Sequence, residues 1–308
     1  MSSLQAVAVR PRVTPESIAY LGLIGATVGW ASAFITGKVV LNEVPPMVAS
    51  AGRHAVGALI LLPIAWRARP SSSAFRGVAL PLCWLSLAGG VLYPWVFLEA
   101  LSRTEATNCS LLIALNPLFT VILSPLVGES RERRWGGILL ALGGAALVIT
   151  RGDLENVGRL GHFSFASGDL LAIVAAMLWA SFNLTSKRVV ATLSPPFINC
   201  FVFGVGSLCL LALSSGEQPL LRLSHMSFAA SGSLVAMAVL SSVLAGNLFL
   251  LGMRAVGVNR TVVFIYLVPV VTAVLSAVFL GEQIGAAQVI GGAAVLIGVY
   301  WAAAGGNS

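Results

Sequence analysis

The sequence predicts an all-α membrane protein with ten transmembrane helices, arranged as two inverted five-helix repeats. Composition is the first reason. Of the 308 residues, 57% are hydrophobic and only 9% are charged, and the mean hydropathy is +0.94. A soluble domain would carry about a quarter charged residues. The other two reasons are a series of long apolar segments and a sequence pattern that occurs twice, about half the chain apart.

Ten segments are sufficiently long and apolar to cross a bilayer, which takes about 20 residues. In chain order they cover residues 18–40, 46–66, 78–98, 106–127, 134–150, 168–189, 196–214, 228–251, 261–280 and 284–303. The polar N-terminus has no signal-peptide pattern, so the first span is expected to be retained.

Most spans of the first half contain a distinctive sequence motif. The first contains the pattern W-A-S-x-x-x-T-x-K, and a Pro pair precedes the second. The third is the least regular, because Gly89, Gly90 and Pro94 interrupt it. The fourth contains Asn116-Pro117 and ends in P-x-x-T-x-x-L-S followed by G-E. The fifth is supported by apolar length alone.

The second half repeats these motifs in the same order. The sixth span carries W-A-S-x-x-x-T-x-K again, and a Pro pair precedes the seventh. The ninth contains Pro269 and the same P-x-x-T-x-x-L-S pattern, again followed by G-E. The eighth and tenth are supported by apolar length. The pattern therefore predicts two repeats, in residues 17–150 and 168–303.

The connection at residues 151–167 is the longest and most polar, and it is predicted to be an extracytoplasmic loop. Five spans per repeat is an odd number, so the second repeat must enter the membrane upside down. Such inverted repeats usually place a transport site where the two halves meet.

Basic residues predict the orientation, because positive loops face the cytoplasm. Twelve lie on one side: Arg10, Arg12, Arg67, Arg69, Arg76, Arg131, Arg133, Arg134, Lys187, Arg188, Arg254 and Arg260. Five lie on the other side: Lys38, Arg103, Arg151, Arg159 and Arg222. The chain is therefore predicted to lie in the inner (plasma) membrane with both termini in the cytoplasm.

These motifs resemble the drug/metabolite transporter superfamily and, within it, the ten-helix EamA-type transporters. The resemblance rests on Trp30 to Lys38 with Pro45-Pro46 and Arg53, on Ala100 through Pro117 to Glu129, and on the second-half counterparts. It implies a secondary transporter that exports small metabolites by alternating access. The similarity is greatest to bacterial amino-acid exporters, including the aromatic amino-acid type. Export of drugs or other metabolites is the alternative, followed by a channel.

The two prolines at mid-membrane are candidate kink or gating residues. Pro117 and Pro269 each lack an N–H and free the carbonyl four residues earlier, at Ile113 and Ile265. One interpretation is a kinked helix that lines a cavity and changes shape. The other is a static kink satisfied by neighbouring groups.

Duplicated aromatic and hydroxyl residues are candidates for substrate binding. Trp30 and Trp179 are predicted to be cavity walls or packing anchors, and a Trp wall would suit an aromatic substrate. Ser32 and Ser181 could bind substrate through their hydroxyls, or they could bond to their own helix backbone.

Other polar residues within the spans complete the predicted substrate site. They are Tyr93, Asn183, Asn247 and Tyr266, whose amides and hydroxyls could bind a zwitterion or bond between helices. Arg53 is predicted to form a structural ion pair or to contact headgroups. The substrate is expected near the midplane between spans 1, 3, 4, 6, 8 and 9.

Three charged residues are candidates for the mouths of the pathway. Lys38 and Lys187 lie near helix ends on opposite sides of the membrane, where snorkelling to the interface is the alternative role. Glu99 lies four residues before Arg103, which also suits a surface ion pair. No acidic residue lies clearly at mid-membrane, so coupling through a buried carboxylate is not supported.

Other functions have little support in the sequence. The three histidines are scattered, no metal-binding or phosphate-loop motif occurs, and the four cysteines form no C-x-x-C pair. No catalytic residue, metal or cofactor is therefore predicted. The net charge of +7 comes from short loops without interleaved aromatics, which is not the pattern of a nucleic-acid surface. The predicted partners are a small-molecule substrate and the lipid bilayer, and the sequence does not indicate an oligomeric state.

Overall fold

The computed structural model describes residues 15–127, 135–150, 152, 167–257, 261 and 263–303, and every regular element in those residues is a helix. In chain order the spans are α1 (Pro15–Leu41), α2 (Pro46–Arg67), α3 (Ser72–Arg103), α4 (Ala106–Leu126), α5 (Trp135–Thr150), α6 (Ser167–Val190), α7 (Pro195–Leu213), α8 (Phe228–Val256), α9 (Leu267–Phe279) and α10 (Ala286–Ala303). A short helix, Pro219–Ser224, lies between α7 and α8. The ten predicted helices are therefore confirmed.

Seven of these spans are long and apolar enough to cross a bilayer by length and composition. Three apolar helices are shorter, and they correspond to α5, α9 and α10. Several residues used in the orientation argument lie outside the described residues: Arg10, Arg12, Arg131, Arg133, Arg134, Arg151, Arg159 and Arg260. The same holds for Glu129 and for most of the predicted loop at 151–167. The repeat boundaries and the orientation therefore stay predictions.

The helices pack as two interlocking halves. Helix α2 packs against α7, and α5 packs against α10. Helix α1 packs against α8 and α9, while α6 packs against α3 and α4. When the two halves are exchanged, the α2–α7 and α5–α10 contacts map onto themselves. The α1–α8 contact maps onto α6–α3, and α1–α9 maps onto α6–α4. This is the pattern that a pseudo-two-fold axis between the repeats produces.

Contacts at one end of the bundle show that equivalent helices run in opposite directions. The Lys38 Nζ, near the end of α1, donates to the Thr104 carbonyl at 2.7 Å. The Thr104 hydroxyl in turn donates to Asp169, near the start of α6, at 2.6 Å. Helix α1 therefore ends where α6 begins, as an inverted repeat requires. We call this end, defined by Lys38, Thr104 and Asp169, the Lys38 end.

Symmetry-related irregularities occur in both halves. Helix α3 contains a π-helical segment at Ser86–Leu92, and α8 contains one at Met237–Ala245. Such segments add a residue per turn and are frequent at functional sites. In α3 the wider turn keeps the helix continuous through the glycines and Pro94. Helix α3 also extends beyond both ends of the predicted span 78–98.

Acidic side chains bind helix N-termini at the Lys38 end. Glu282 accepts hydrogen bonds from the backbone N–H groups of Ala106 and Thr107, at 2.7 and 3.1 Å, where α4 begins. Glu43 accepts from the Ser227 N–H at 2.7 Å and from its hydroxyl at 2.5 Å, just before α8. A carboxylate at a helix N-terminus satisfies free N–H groups and complements the helix dipole. Each contact joins one repeat to the other.

The Glu43 contact predicts a small, pH-dependent stabilisation. The two hydrogen bonds from Ser227 lower the pKa of Glu43 below its usual value of 4.5. A depressed pKa gives stability that is present above 4.5 and is lost as the pH falls through the depressed value. We expect Glu43→Gln to lower Tm slightly at neutral pH and to match the unmodified protein in strong acid. Thermal unfolding across that pH range measures the difference, with Glu16→Gln as the control. A Tm difference that grows as the pH falls would contradict this account.

Candidate functional site

A cavity of about 90 Å³ lies between the two halves. A buried water needs roughly 10–15 Å³ by the same measure, so the space accommodates several water molecules. Residues from the predicted spans 1, 3, 4, 6, 8 and 9 all line it, and α2 and α7 contribute as well. The location agrees with a transport site where inverted repeats meet.

Aromatic side chains form one wall of this cavity around the duplicated Trp pair. The rings of Trp30 and Trp179 meet edge to face, with centroids 5.6 Å apart and an interplanar angle of 86°. Tyr93 lies 4.8 Å from Trp179, and Phe182 stacks on the other side of it at 4.9 Å. Phe249 lies 4.9 Å from Trp30. These centroid distances are typical of favourable aromatic pairs.

Polar side chains also contribute to the lining. They are Arg53, His54, Asn116, Asn199, Ser241 and Ser242. Three of these residues carry a buried polar atom without a hydrogen-bond partner: Arg53 Nε, Asn199 Nδ2 and Ser242 Oγ. Buried polar groups are normally paired, so this group of free atoms suggests that another molecule can supply the partner.

Arg53 lies in the cavity without a counter-ion. The residue is only 5% exposed, and among the described residues the one ion pair is that of Glu99 with Arg103. The Arg53 guanidinium lies 3.4 Å from His54 Nε2 and sits over the Phe97 ring, with its carbon 6.0 Å from the centroid. The structural ion pair expected from the sequence is therefore absent from the part of the chain that the structure describes.

The contacts of His54 fix its charge state. Arginine only donates hydrogen bonds, so His54 Nε2 must accept and Nδ1 must carry the proton. His54 Nδ1 lies 3.1 Å from the Gly90 carbonyl, which it satisfies as a donor. Gly90 lies in the π segment, and Pro94, four residues later, has no N–H to donate to its carbonyl. His54 is thus neutral, and Arg53 is the one formally charged side chain among the lining residues.

The helix is interrupted at Pro117, and the carbonyl that this proline frees finds a hydrogen-bond donor within α4. Helix α4 stops at Ile113 and restarts at Asn116. The carbonyl of Ile113, which Pro117 frees, accepts a hydrogen bond from the Asn116 amide at 3.2 Å. Asn183 donates to the Asn116 side-chain oxygen at 3.4 Å, which links α6 to this break. In the second half Pro269 lies in the first turn of α9, after a 3₁₀ turn at Val263–Tyr266.

Some predicted binding residues are not part of the described cavity lining. The Ser32 hydroxyl donates to the Gly29 carbonyl at 2.7 Å, and Ser181 accepts from the indole of Trp84 at 2.8 Å. The Asn247 amide donates to the Val243 carbonyl at 2.6 Å, within its own helix. Tyr266 is buried among apolar side chains, and its hydroxyl has no partner. Of the predicted set, the cavity lining contains Trp30, Tyr93 and Trp179, and Asn183 reaches it through Asn116.

The charged residues predicted for the pathway mouths have different surroundings. Lys38 joins α1 to the end of α3 through the Thr104 carbonyl. Glu99 pairs with Arg103 one turn further along α3. Lys187 is exposed near the far end of α6, about 27 Å along the helix from Asp169. Lys38 and Lys187 therefore lie at opposite ends of the bundle, and their role at the pathway mouths stays a prediction.

An internal similarity, missed in the sequence, points to further lining residues. The stretch from Gly89 to Leu98 reads G-G-V-L-Y-P-W-V-F-L, and that from Ser241 to Leu250 reads S-S-V-L-A-G-N-L-F-L. When the shared V-L and F-L pairs are aligned, Phe97 and Phe249 occupy equivalent positions in the two repeats. Both residues line the cavity. Aligning these segments would have found both aromatics.

No metal site is evident in the described part of the chain, where no three His, Cys, Asp or Glu side chains cluster as ligands. All four cysteines are free.

Comparisons with known proteins agree with this architecture. The profile of the EamA-like transporter family matches residues 17–150 and again residues 166–304. The chain is 28% identical to the uncharacterized transporter YyaM of Bacillus subtilis, over 92% of each chain. It is 30% identical to an uncharacterized transporter of Archaeoglobus fulgidus, over 88% of this chain and 92% of the relative.

Two further matches bear on substrate and fold. The chain is 28% identical to the probable terminal-alkyne amino-acid exporter of Streptantibioticus cattleyicolor, over 92% of each chain. A protein of known crystal structure has the same fold, with a TM-score of 0.61 and 22% identity over 92% of this chain and 96% of the other.

Proposed function

This chain belongs to the EamA-like transporter family, and we propose that it exports amino acids or closely related small metabolites across the inner membrane by alternating access. The observation that carries the proposal is the cavity between the two halves, where the duplicated residues Trp30 and Trp179 meet. A site on the axis between inverted repeats can open to either side when one half rocks against the other.

The amino-acid class has two lines of support. One relative, similar over nearly its whole length, is named a probable terminal-alkyne amino-acid exporter. The cavity also combines an aromatic wall with hydrogen-bond donors that lack partners. A small molecule with an apolar side chain and a polar head would match both parts. A large lipophilic cation would match them poorly, since none of the described residues that line the cavity is acidic.

Within this proposal, Trp30, Tyr93 and Trp179 bind the apolar part of the substrate, and Asn183 positions Asn116. The breaks at Pro117 and Pro269 are the places where α4 and α9 can change direction between access states, because they lack continuous helix hydrogen bonds there. Ser32, Ser181 and Asn247 hold local structure. The repeats at 17–150 and 168–303 then act as the two moving halves.

We further propose that both termini are cytoplasmic and that the loop at 151–167 is extracytoplasmic. The support is the asymmetry of basic residues, 12 against 5. Under this orientation the Lys38 end faces outward. Reporter fusions after Ser308 and within the loop test it. A periplasmic C-terminus would overturn the orientation.

Counterflow in proteoliposomes tests the transport function. Vesicles loaded with unlabelled amino acid should accumulate labelled amino acid, and the rate should saturate with concentration. Competition among unlabelled amino acids then ranks the substrates, and an imposed proton gradient tests coupling. Linear, non-saturating flux would indicate a channel. No flux of any amino acid through folded protein would overturn the amino-acid proposal in favour of drug or other metabolite export.

A further inference from the structure

Arg53 forms no ion pair with any residue that the structure describes. It is buried on α2, its Nε has no hydrogen-bond partner, and its contacts are a neutral imidazole and the Phe97 ring. Burying an unpaired charge costs several kcal/mol after relaxation. Such a group is retained in membrane spans mainly where it serves function.

We propose that Arg53 is the anchor for a substrate carboxylate, so that the transported class is carboxylates with one compact apolar or aromatic side chain. This proposal rests on the transport function above and specifies its substrate. The carboxylate would lie against Arg53, and the apolar side chain would lie against the wall formed by Trp30, Trp179 and Phe249.

The charge balance of the cavity supports a single carboxylate. Among the described lining residues Arg53 alone is formally charged, so one negative charge neutralises the site. The guanidinium fork matches the geometry of a carboxylate through two parallel hydrogen bonds. A phosphate dianion would leave an uncompensated charge in a low-dielectric space. The site therefore fits a monoanionic head better than a phosphate.

Neighbouring donors add to this match. Asn199 Nδ2 on α7 and Ser242 Oγ on α8 line the same cavity and have no partner. Both can donate to carboxylate oxygens. A protonated amino group finds no acidic partner among the described lining residues, and the faces of the Trp and Tyr rings are the groups that can receive it. The amino group should therefore matter less for binding than the carboxylate.

Matched ligands test the class directly. Isothermal titration on protein in lipid nanodiscs would compare L-phenylalanine with L-phenylalaninamide, and L-leucine with L-leucinamide. 3-Phenylpropanoate, which has a carboxylate and no amino group, completes the set. Loss of charge-assisted hydrogen bonds costs about 10- to 100-fold in affinity, so each amide should bind that much more weakly than its acid. We expect 3-phenylpropanoate to bind within about tenfold of L-phenylalanine.

Variants of Arg53 separate an anchor from a structural residue. Arg53→Met keeps the side-chain length and removes the unpaired charge, so its Tm should equal or exceed that of the unmodified protein, while its preference for acid over amide disappears. Arg53→Lys keeps the charge without the fork and should retain part of the preference. Arg76→Met, on the exposed start of α3, is the matched control and should bind acids normally.

The outcomes decide the proposal independently of transport. Equal binding of acid and amide, an absence of carboxylate binding, or unchanged acid binding by Arg53→Met would overturn it. A lower Tm for Arg53→Met with unchanged discrimination would show that Arg53 is structural. If acids bind through Arg53 but counterflow fails, the site stands and the export function falls. If counterflow succeeds and Arg53→Met transports normally, the export function stands and the carboxylate site at Arg53 is wrong.

Discussion

Replacing Trp179 by Ala is expected to reduce counterflow by about tenfold or more in protein that still folds. Trp179 contacts Trp30, Tyr93 and Phe182, and it lies 6.4 Å from Phe249. Each aromatic pair contributes about 0.5–1.5 kcal/mol beyond its buried area. Removing the indole therefore loosens most of the wall that we assign to the substrate's apolar part. Initial counterflow rates on equal amounts of reconstituted protein measure the effect.

Three control variants make this prediction specific. Trp66→Ala removes a Trp that is 65% exposed on α2, far from the cavity lining, and should leave transport unchanged. Asn247→Ala removes an amide that bonds within its own helix, and it should also transport normally. Trp179→Phe should retain part of the rate. Equal losses in Trp179→Ala and Asn247→Ala would mean that the cavity wall has no special role.

The fold could be predicted because membrane spans are local features. Apolar length defines each helix, and an odd number of spans per repeat fixes the inversion by counting. The third helix was harder, since Gly89, Gly90 and Pro94 argue against a regular helix. The sequence does not show that a π segment absorbs this strain, because the segment depends on His54 satisfying the Gly90 carbonyl from another helix.

The site was only partly predictable, because hydroxyls and amides have local alternatives. Ser32 and Asn247 bond within their own helices, at distances that compete with any ligand. Trp30 and Trp179 were predictable from their duplication alone. The surroundings of Arg53 depend on α2, α3 and α7 together, and no local pattern shows whether a carboxylate lies nearby.

The two repeats differ at one pair of equivalent positions in the cavity lining. Counting from Pro45 and Pro195, Arg53 in α2 corresponds to Phe203 in α7, and both line the cavity. The symmetric Trp pair supplies the apolar wall, while departures from symmetry supply the charge. A fully symmetric site would hold two charges or none. The two repeats therefore contribute different chemistry at this position, a guanidinium from α2 and a phenyl ring from α7.

The second large effect is expected for Gly206→Val, which should destabilise the protein by about 3 kcal/mol or more. A Cβ at Gly206 would lie 2.8 Å from the Gly90 Cα, and one at Gly90 would lie 2.5 Å from the Val202 carbonyl oxygen. The neighbours are backbone atoms, so no side-chain rotation relieves the clash. Helices α3 and α7 must separate, and the Gly90 carbonyl then moves away from His54 Nδ1. Thermal unfolding in detergent measures the loss.

Gly204→Val is the matched control, because it makes the same substitution on the same helix where a Cβ meets nothing within 4 Å. Its Tm should stay close to that of the unmodified protein, and Gly206→Ala should fall between the two. The Gly90 carbonyl bonds His54, and His54 in turn contacts Arg53. Displacing that carbonyl should therefore weaken carboxylate binding in a Gly206→Ala protein that still folds. If Gly204→Val and Gly206→Val lower Tm equally, the loss of stability would come from helix propensity and not from the backbone contact between α3 and α7. If Gly206→Ala loses stability but binds acids normally, the α3–α7 contact would be structural and independent of the Arg53 site.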